Sequence, residues 1–213
     1  MSITVPAGLG GIGFVLTALV VNVLYLRGGL PLPGSGGREE AAARFAAAGS
    51  ALRRPSVLAP ASWLLLTVFA AGLLSTLRHG DAGAWALVGF AGVLMQNVTF
   101  TVVEALRFGI ASAAAHDRAS TAGLWSLTTV LFGFNQLFLA TALVGFTVAG
   151  TELGVVAEWH AVLGHVSAGL LFLSASAAPY TADGPGRLGP LGLVGWLGWL
   201  AWIVACSVGL LAR

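Results

Sequence analysis

Residues 84–115 read AWALVGFAGVLMQNVTFTVVEALRFGIASAAA. The run is apolar enough to cross a bilayer, whose hydrocarbon core of about 30 Å is spanned by about 20 predominantly apolar helical residues. Inside it stand Gln96, Asn97, Glu104 and Arg107. An ionisable side chain at the bilayer centre costs about 2.5–3.5 kcal/mol on insertion scales, so it normally faces a bundle interior and has a partner or a task. Glu104 is therefore the first functional candidate. At 1.5 Å per residue the segment makes a helix of about 48 Å, so it is expected to tilt, to break near Gly109 or to extend beyond the membrane.

The rest of the chain has the same character. Hydrophobic residues make up 57% of the 213 and charged residues 8%, with a mean hydropathy of +0.91, whereas soluble domains carry about 25% charged residues. Ten arginines, no lysine and eight acids give a net charge of +2, too sparse for a nucleic-acid surface. Cys206 is the single cysteine, which leaves no intrachain disulfide and no Cys-based metal site. The opening Met1-Ser2-Ile3-Thr4-Val5-Pro6 lacks the basic region of a signal peptide and leads into an apolar stretch, so a retained first span is expected.

Six stretches reach spanning length, at about 7–26, 57–77, 84–115, 121–149, 155–178 and 188–211. The expected fold is one all-α domain over 1–213, a polytopic integral bundle of the cell membrane. Short cytoplasmic loops are enriched in arginine and lysine. Arg27, Arg38, Arg44, Arg53, Arg54, Arg107, Arg118 and Arg187 fall on one side of this layout, Arg78 and Arg213 on the other. Both termini are thus expected outside, with the long first loop, 27–56, in the cytoplasm. That loop opens with a Pro/Gly-rich linker, Leu30 to Gly37, and continues as an Ala-rich amphipathic helix, Arg38 to Leu52. Glu40 and Arg44 are spaced i,i+4, and Arg53 and Arg54 can reach anionic headgroups.

On the third span Asn97, Thr101, Glu104 and Phe108 recur at helical spacing and define one face. Arg107, three residues past Glu104, can pair with it or snorkel toward the cytosol. The fourth span carries Asn135 and Gln136 at its middle, with Trp125 and Thr129 on the same side as Gln136. The fifth carries Glu158 and His160 near the outer surface and His165 at its centre. If these three helices adjoin, Glu104, Asn135 or Gln136, and His165 meet in one pocket in the middle third of the membrane. Trp196, Trp199 and Trp202 on the sixth span, among Gly192, Gly195 and Gly198, serve either as packing and anchors or as an aromatic wall for an apolar or cationic ligand. No metal site and no cofactor is expected: His79, Asp81, Glu152, Glu158 and His160 have no ligand spacing, and the soluble-enzyme motifs GxGxxG, GxxxxGK[ST], HExxH and GxSxG give no match in context.

The Ala-rich segment after the first helix, and Arg187-Leu188-Gly189-Pro190-Leu191-Gly192 before a glycine-rich last helix, give a layout that resembles a family of six-span bacterial membrane proteins known only as a domain of unknown function. The lysine-free, Ala/Gly/Leu-rich composition looks like that of a high-GC actinobacterial source. In size and span count the chain is also similar to the small integral-membrane terpene cyclases, and that resemblance implies an embedded acid, here Glu104, protonating an isoprenoid epoxide or alkene to start cyclisation.

Three functions follow as expectations. The first is a membrane-embedded enzyme acting on an apolar, isoprenoid-like substrate that enters from the lipid. In it Glu104 and His165 do the acid–base work, and Asn97, Thr101, Arg107, Asn135, Gln136, Trp196 and Trp199 hold the substrate. The second is a proton-coupled transporter with a Glu104–His165 relay. The third is a non-catalytic scaffold subunit, whose glycine-rich faces also suit a homo-oligomer. Membrane lipid is a partner in all three.

Overall fold

The computed structural model describes residues 3–31, 37–48, 52–114, 116–182 and 187–212. Residues 32–36 of the expected linker, residues 49–51 of the expected amphipathic helix, the side chains of Arg54 and Arg118, and Arg213 lie outside that set. The regular elements are α1 (Thr4–Arg27), α2 (Arg38–Ala48), a single turn α3 (Arg53–Ser56), α4 (Ala59–Leu77), α5 (Ala82–Ala113), α6 (Arg118–Glu152), α7 (Glu158–Ser176), a 3-10 turn (Ala178–Thr181) and α8 (Gly189–Leu211). The fold is all-α, and no strand occurs among the described residues.

Five of these helices are long and apolar enough to cross a membrane: α1, α4, α5, α6 from Ala119 onward, and α8. The sequence leads to six. The sixth candidate, α7, forms where expected and has 19 residues, but Glu158, His160, His165 and three serines lower its hydropathy below that of the others.

Local chemistry sets the helix ends. Pro60 and Pro190 sit in the first turns of α4 and α8, where the missing N–H has no intrahelical partner to lose. Asp117 is extended and caps α6, its carboxylate accepting from the amides of Ala119 (3.0 Å) and Ser120 (3.1 Å) and from the Ser120 hydroxyl (2.5 Å). After α1 the chain turns through Gly29 at φ +73°, a left-handed conformation that costs a side-chain-bearing residue far more than glycine.

Each long helix packs on the next, and α8 returns to α1, closing the circuit. Glycines allow the close approaches. A methyl group on Gly10 would lie 2.9 Å from the Leu65 carbonyl oxygen of α4, and one on Gly8 would lie 2.9 Å from that of Ser207 on α8. One on Gly92 would lie 2.8 Å from the Phe138 oxygen of α6, and one on Gly195 would lie 3.0 Å from the Ser167 oxygen of α7. Small residues at such positions let backbones meet and gain van der Waals contact where lipid offers no hydrophobic drive. The glycine-rich faces are thus used largely inside the chain.

The main core joins Leu66, Phe69, Leu73, Leu143, Phe146, Leu171, Trp199, Trp202 and Ile203. A second cluster lies at the end where α1 finishes and α4 begins: Val21, Tyr25, Leu30, Ala41, Phe45, Leu52, Ile110 and Trp125. Helix lengths explain it. The 19 residues of α4 make about 28 Å, close to a hydrocarbon core, whereas the 32 of α5 and 35 of α6 make about 48 and 52 Å. The surplus of α5 and α6 projects past the end of α4 and receives α2, whose Phe45 meets Trp125 edge-on at 5.9 Å. Gly109 makes no break; α5 runs straight through it.

Candidate functional site

Glu104 is buried, 5% exposed, and both its oxygens are engaged. Oε1 accepts from the Tyr25 hydroxyl of α1, and Oε2 accepts from Arg107 Nη1 at 2.8 Å. Arg107, 6% exposed, also lies over the Tyr25 ring, its Cζ 4.6 Å from the centroid. Tyr25 Oη is 2.8 Å from Ser56 Oγ, which lies 2.9 Å from the Leu52 carbonyl oxygen. Since Tyr25 gives its only hydroxyl proton to Glu104, Ser56 supplies the proton of the Tyr25–Ser56 bond or gives it to Leu52. The cluster ties α1, α3 and α5 together. Charge neutralises charge within one helix, and a cation sits on an aromatic face.

The cluster lies at the end of the bundle where α1 finishes and α4 begins. Tyr25 is two residues from the end of α1, and Ser56 precedes α4. Glu104 therefore sits level with the end of α1 rather than beside the middle of the shorter helices. The length of α5 is the reason: a 32-residue span has its charged pair near the end that projects.

The expected convergence does not form. Between α5 and α6, Gly92 meets Ala142, Phe100 meets Phe132 at 6.2 Å, and Gly109 faces Leu124. This register puts Glu104 near the level of Thr129, whereas Gly164, next to His165, abuts Thr147. The separation along α6 is about 27 Å. His165 is exposed, and its Nδ1 is 2.8 Å from the Ala161 carbonyl oxygen one turn back. The histidine turned inward is His160, 5% exposed, with Nε2 3.0 Å from the Trp202 carbonyl oxygen and its ring against Trp159 and Trp202. Sequence reading assigned the two histidines the opposite environments, because depth along α7 is not the same as rotation about it.

The proposed stripe on α5 also divides. Asn97 donates from Nδ2 to Thr67 Oγ1 (2.9 Å) and to the Trp63 oxygen (3.2 Å), fastening α5 to α4. Thr101 and Phe108 are exposed, and Thr101 bonds back to the Asn97 oxygen at 2.8 Å. Asn135 and Gln136 are buried at 2% and 9% exposure, and their amide oxygens have no partner among the described residues, nor has that of Gln96. The Gln136 amide lies over Gly192 beside Ser174 Oγ, where α6, α7 and α8 meet.

Trp199 and Trp202 are wholly buried, stacked on each other at 6.0 Å, with Trp202 stacked on Phe146 at 6.4 Å; Trp196 is half-buried against the same core. They fill the core. A groove of about 190 Å³, bounded by Phe134, Leu137, Phe172, Ala175, Ser176 and Pro179, includes none of the predicted site residues. Among the described residues no three His, Cys, Asp or Glu side chains gather as metal ligands. Tyr25 and Ser56 escaped sequence reading; the only signal was a phenol at the end of an otherwise apolar helix.

No family model, curated protein or solved structure matches the chain. The class the fold defines is an all-α membrane protein with five helices long and apolar enough to span.

Proposed function

We propose that the chain is a non-catalytic scaffold subunit of a cell-membrane assembly, with α7 as its sixth span, both termini outside and the arginine-rich end in the cytoplasm. The saturation of Glu104 carries this reading. An acid catalyst must present a free carboxyl oxygen to substrate, and here both are taken, one by the Tyr25 hydroxyl and the other by Arg107 at 2.8 Å. The cyclase-like reading requires this pair to open toward a substrate. A scaffold needs neither. The second use of the same geometry is mechanical: the cluster and the apolar contacts around Phe45 hold α2 with Arg38, Glu39, Glu40 and Arg44 facing outward.

Light scattering and native mass spectrometry of the full chain, extracted from its own membranes in mild detergent, test this. A complex larger than the monomer is expected, and an E39K/R44E variant should release the added mass while keeping its helicity. A wild-type monomer carrying no second chain overturns the reading.

Transport is the second reading that an observation favours. Among the described residues, buried polar atoms without a partner occur on Gln96 of α5 and on Thr129, Asn135, Gln136 and Thr147 of α6, and such groups mark solute or proton paths in other membrane bundles. Proteoliposomes that acidify in response to a pH gradient, with the flux lost in Gln136→Leu, would favour it over the scaffold.

A further inference from the structure

We infer that α2 is a displaceable lid over the Glu104–Arg107 pair, and that its opening wets the pair and loosens the tie between α1, α3 and α5. Glu104 and Arg107 are 5% and 6% exposed, although they stand level with the end of α1, where α5 and α6 run on. Burial at such a place needs a cover. The second apolar cluster supplies it: Tyr25 of α1, Ile110 of α5 and Trp125 of α6 join Ala41 and Phe45 of α2. Tyr25 carries Arg107 on its ring face and Glu104 on its hydroxyl, and Ile110 lies three residues beyond Arg107, on the same face of α5. Pair and lid thus share one wall.

Little holds α2 in place. Of its 11 residues only Ala41 and Phe45 are buried. Glu40 and Arg44 bond each other within the helix at 2.6 Å, and Arg38 Nη2 donates to the Ala182 carbonyl oxygen at 3.2 Å. A helix this short is marginal alone in water, so α2 is folded while it is docked and leaves as a unit. Elements fixed by few buried contacts open at a fraction of the free energy of global unfolding.

The two positions of the lid differ in how firmly the pair grips Tyr25. With α2 closed, the charges act in a low-dielectric pocket, where hydrogen bonds and ion pairs are strong. With water admitted, an ion pair contributes little, and Tyr25, which both charges hold, loses its anchor. A pull on α2 is thereby felt at the joint of three helices. The lid works whether or not a partner docks on Glu39 and Arg44.

The test is the reaction of Arg107 with phenylglyoxal in the full chain in mild detergent, read by peptide mass mapping, beside hydrogen exchange of the Arg38–Ala48 amides. In wild type both are expected to be faster than exchange of the α4 amides around the buried Phe69, and Arg107 to react far more slowly than the exposed Arg78. Phe45→Ala should speed both by one factor, about 100-fold or more, until Arg107 approaches Arg78. Ala41→Glu, which puts a charge into the buried seam, should do the same. Phe69→Ala, which weakens the main core instead, should leave both unchanged while the bundle stays folded by circular dichroism. Arg107 as unreactive in the two α2 variants as in wild type, while the α2 amides exchange freely, overturns the lid. So do α2 amides protected in wild type as well as those around Phe69, and an acceleration of Arg107 by Phe69→Ala equal to that by Phe45→Ala, which would assign access to global unfolding.

Discussion

Replacing Glu104 by Gln keeps the shape of the side chain and removes its charge, leaving Arg107 as a cation 6% exposed with no carboxylate. The magnitude depends on which regime the pair occupies. Exposed ion pairs contribute about 0–1 kcal/mol, but with side-chain exposures of 8% and 7% this one is buried. Removing one partner of a buried pair costs about 3–5 kcal/mol because the other charge is stranded. For a chain of this length, at about 2–4 °C per kcal/mol, the melting point should fall by about 6–20 °C. The double variant Glu104→Gln/Arg107→Met strands nothing, and replacing a buried pair by neutral groups is often neutral or stabilising. Its melting point should return to within a few degrees of wild type. The assay is thermal unfolding of the four proteins of the cycle in one detergent, followed by circular dichroism. A Glu104→Gln variant as stable as wild type, or a double variant no better than the single, would refute a structural tie and return Glu104 to the list of reactive acids.

Phe45→Ala should release α2, because deleting a buried phenylalanine costs about 3–5 kcal/mol; hydrogen exchange over Arg38–Ala48 should rise while α4 to α6 keep their protection. Asn135→Leu should raise stability by about 1 kcal/mol in thermal unfolding, since it removes a buried amide whose oxygen has no partner; a loss of stability would mean that the amide is engaged. Ser120 and the amides of Ser120 and Ala119 hold the Asp117 carboxyl below the usual carboxylate value. A depressed folded value makes its contribution present above the unfolded value of about 4 and lost as pH falls through the folded one. Amide exchange at Ala119 and Ser120, corrected for intrinsic rate, should therefore accelerate on acidification, and in Asp117→Ala that acceleration should be absent.

The elements were largely legible in the sequence, because spanning length and turn chemistry are local. Each expected span has a helix within a few residues of it, and the Ala-rich first loop yields α2. Rotation and relative depth were not legible. In lipid both faces of a span can be apolar, so the hydrophobic pattern that would orient a soluble helix carries little signal, and His160 and His165 exchanged their expected environments for that reason. Relative depth was not legible at Glu104 because a long helix has no intrinsic midpoint; the contact with Tyr25 shows which part of α5 lies level with the end of α1. The Glu104–Arg107 pair was legible from its i,i+3 spacing alone, whereas Tyr25 and Ser56 come from 79 and 48 residues earlier in the chain and left no pattern.

That the pair lies within a single helix has a consequence for biogenesis. An ion pair shared between two helices would leave a bare charge on whichever segment entered the membrane first. Here α5 carries acid and base three residues apart, so it can partition from the insertion machinery already neutralised, and the phenol of α1 and the hydroxyl of α3 need join only when the helices assemble. The order in which spans are delivered is thereby freed from the chemistry that later fastens them.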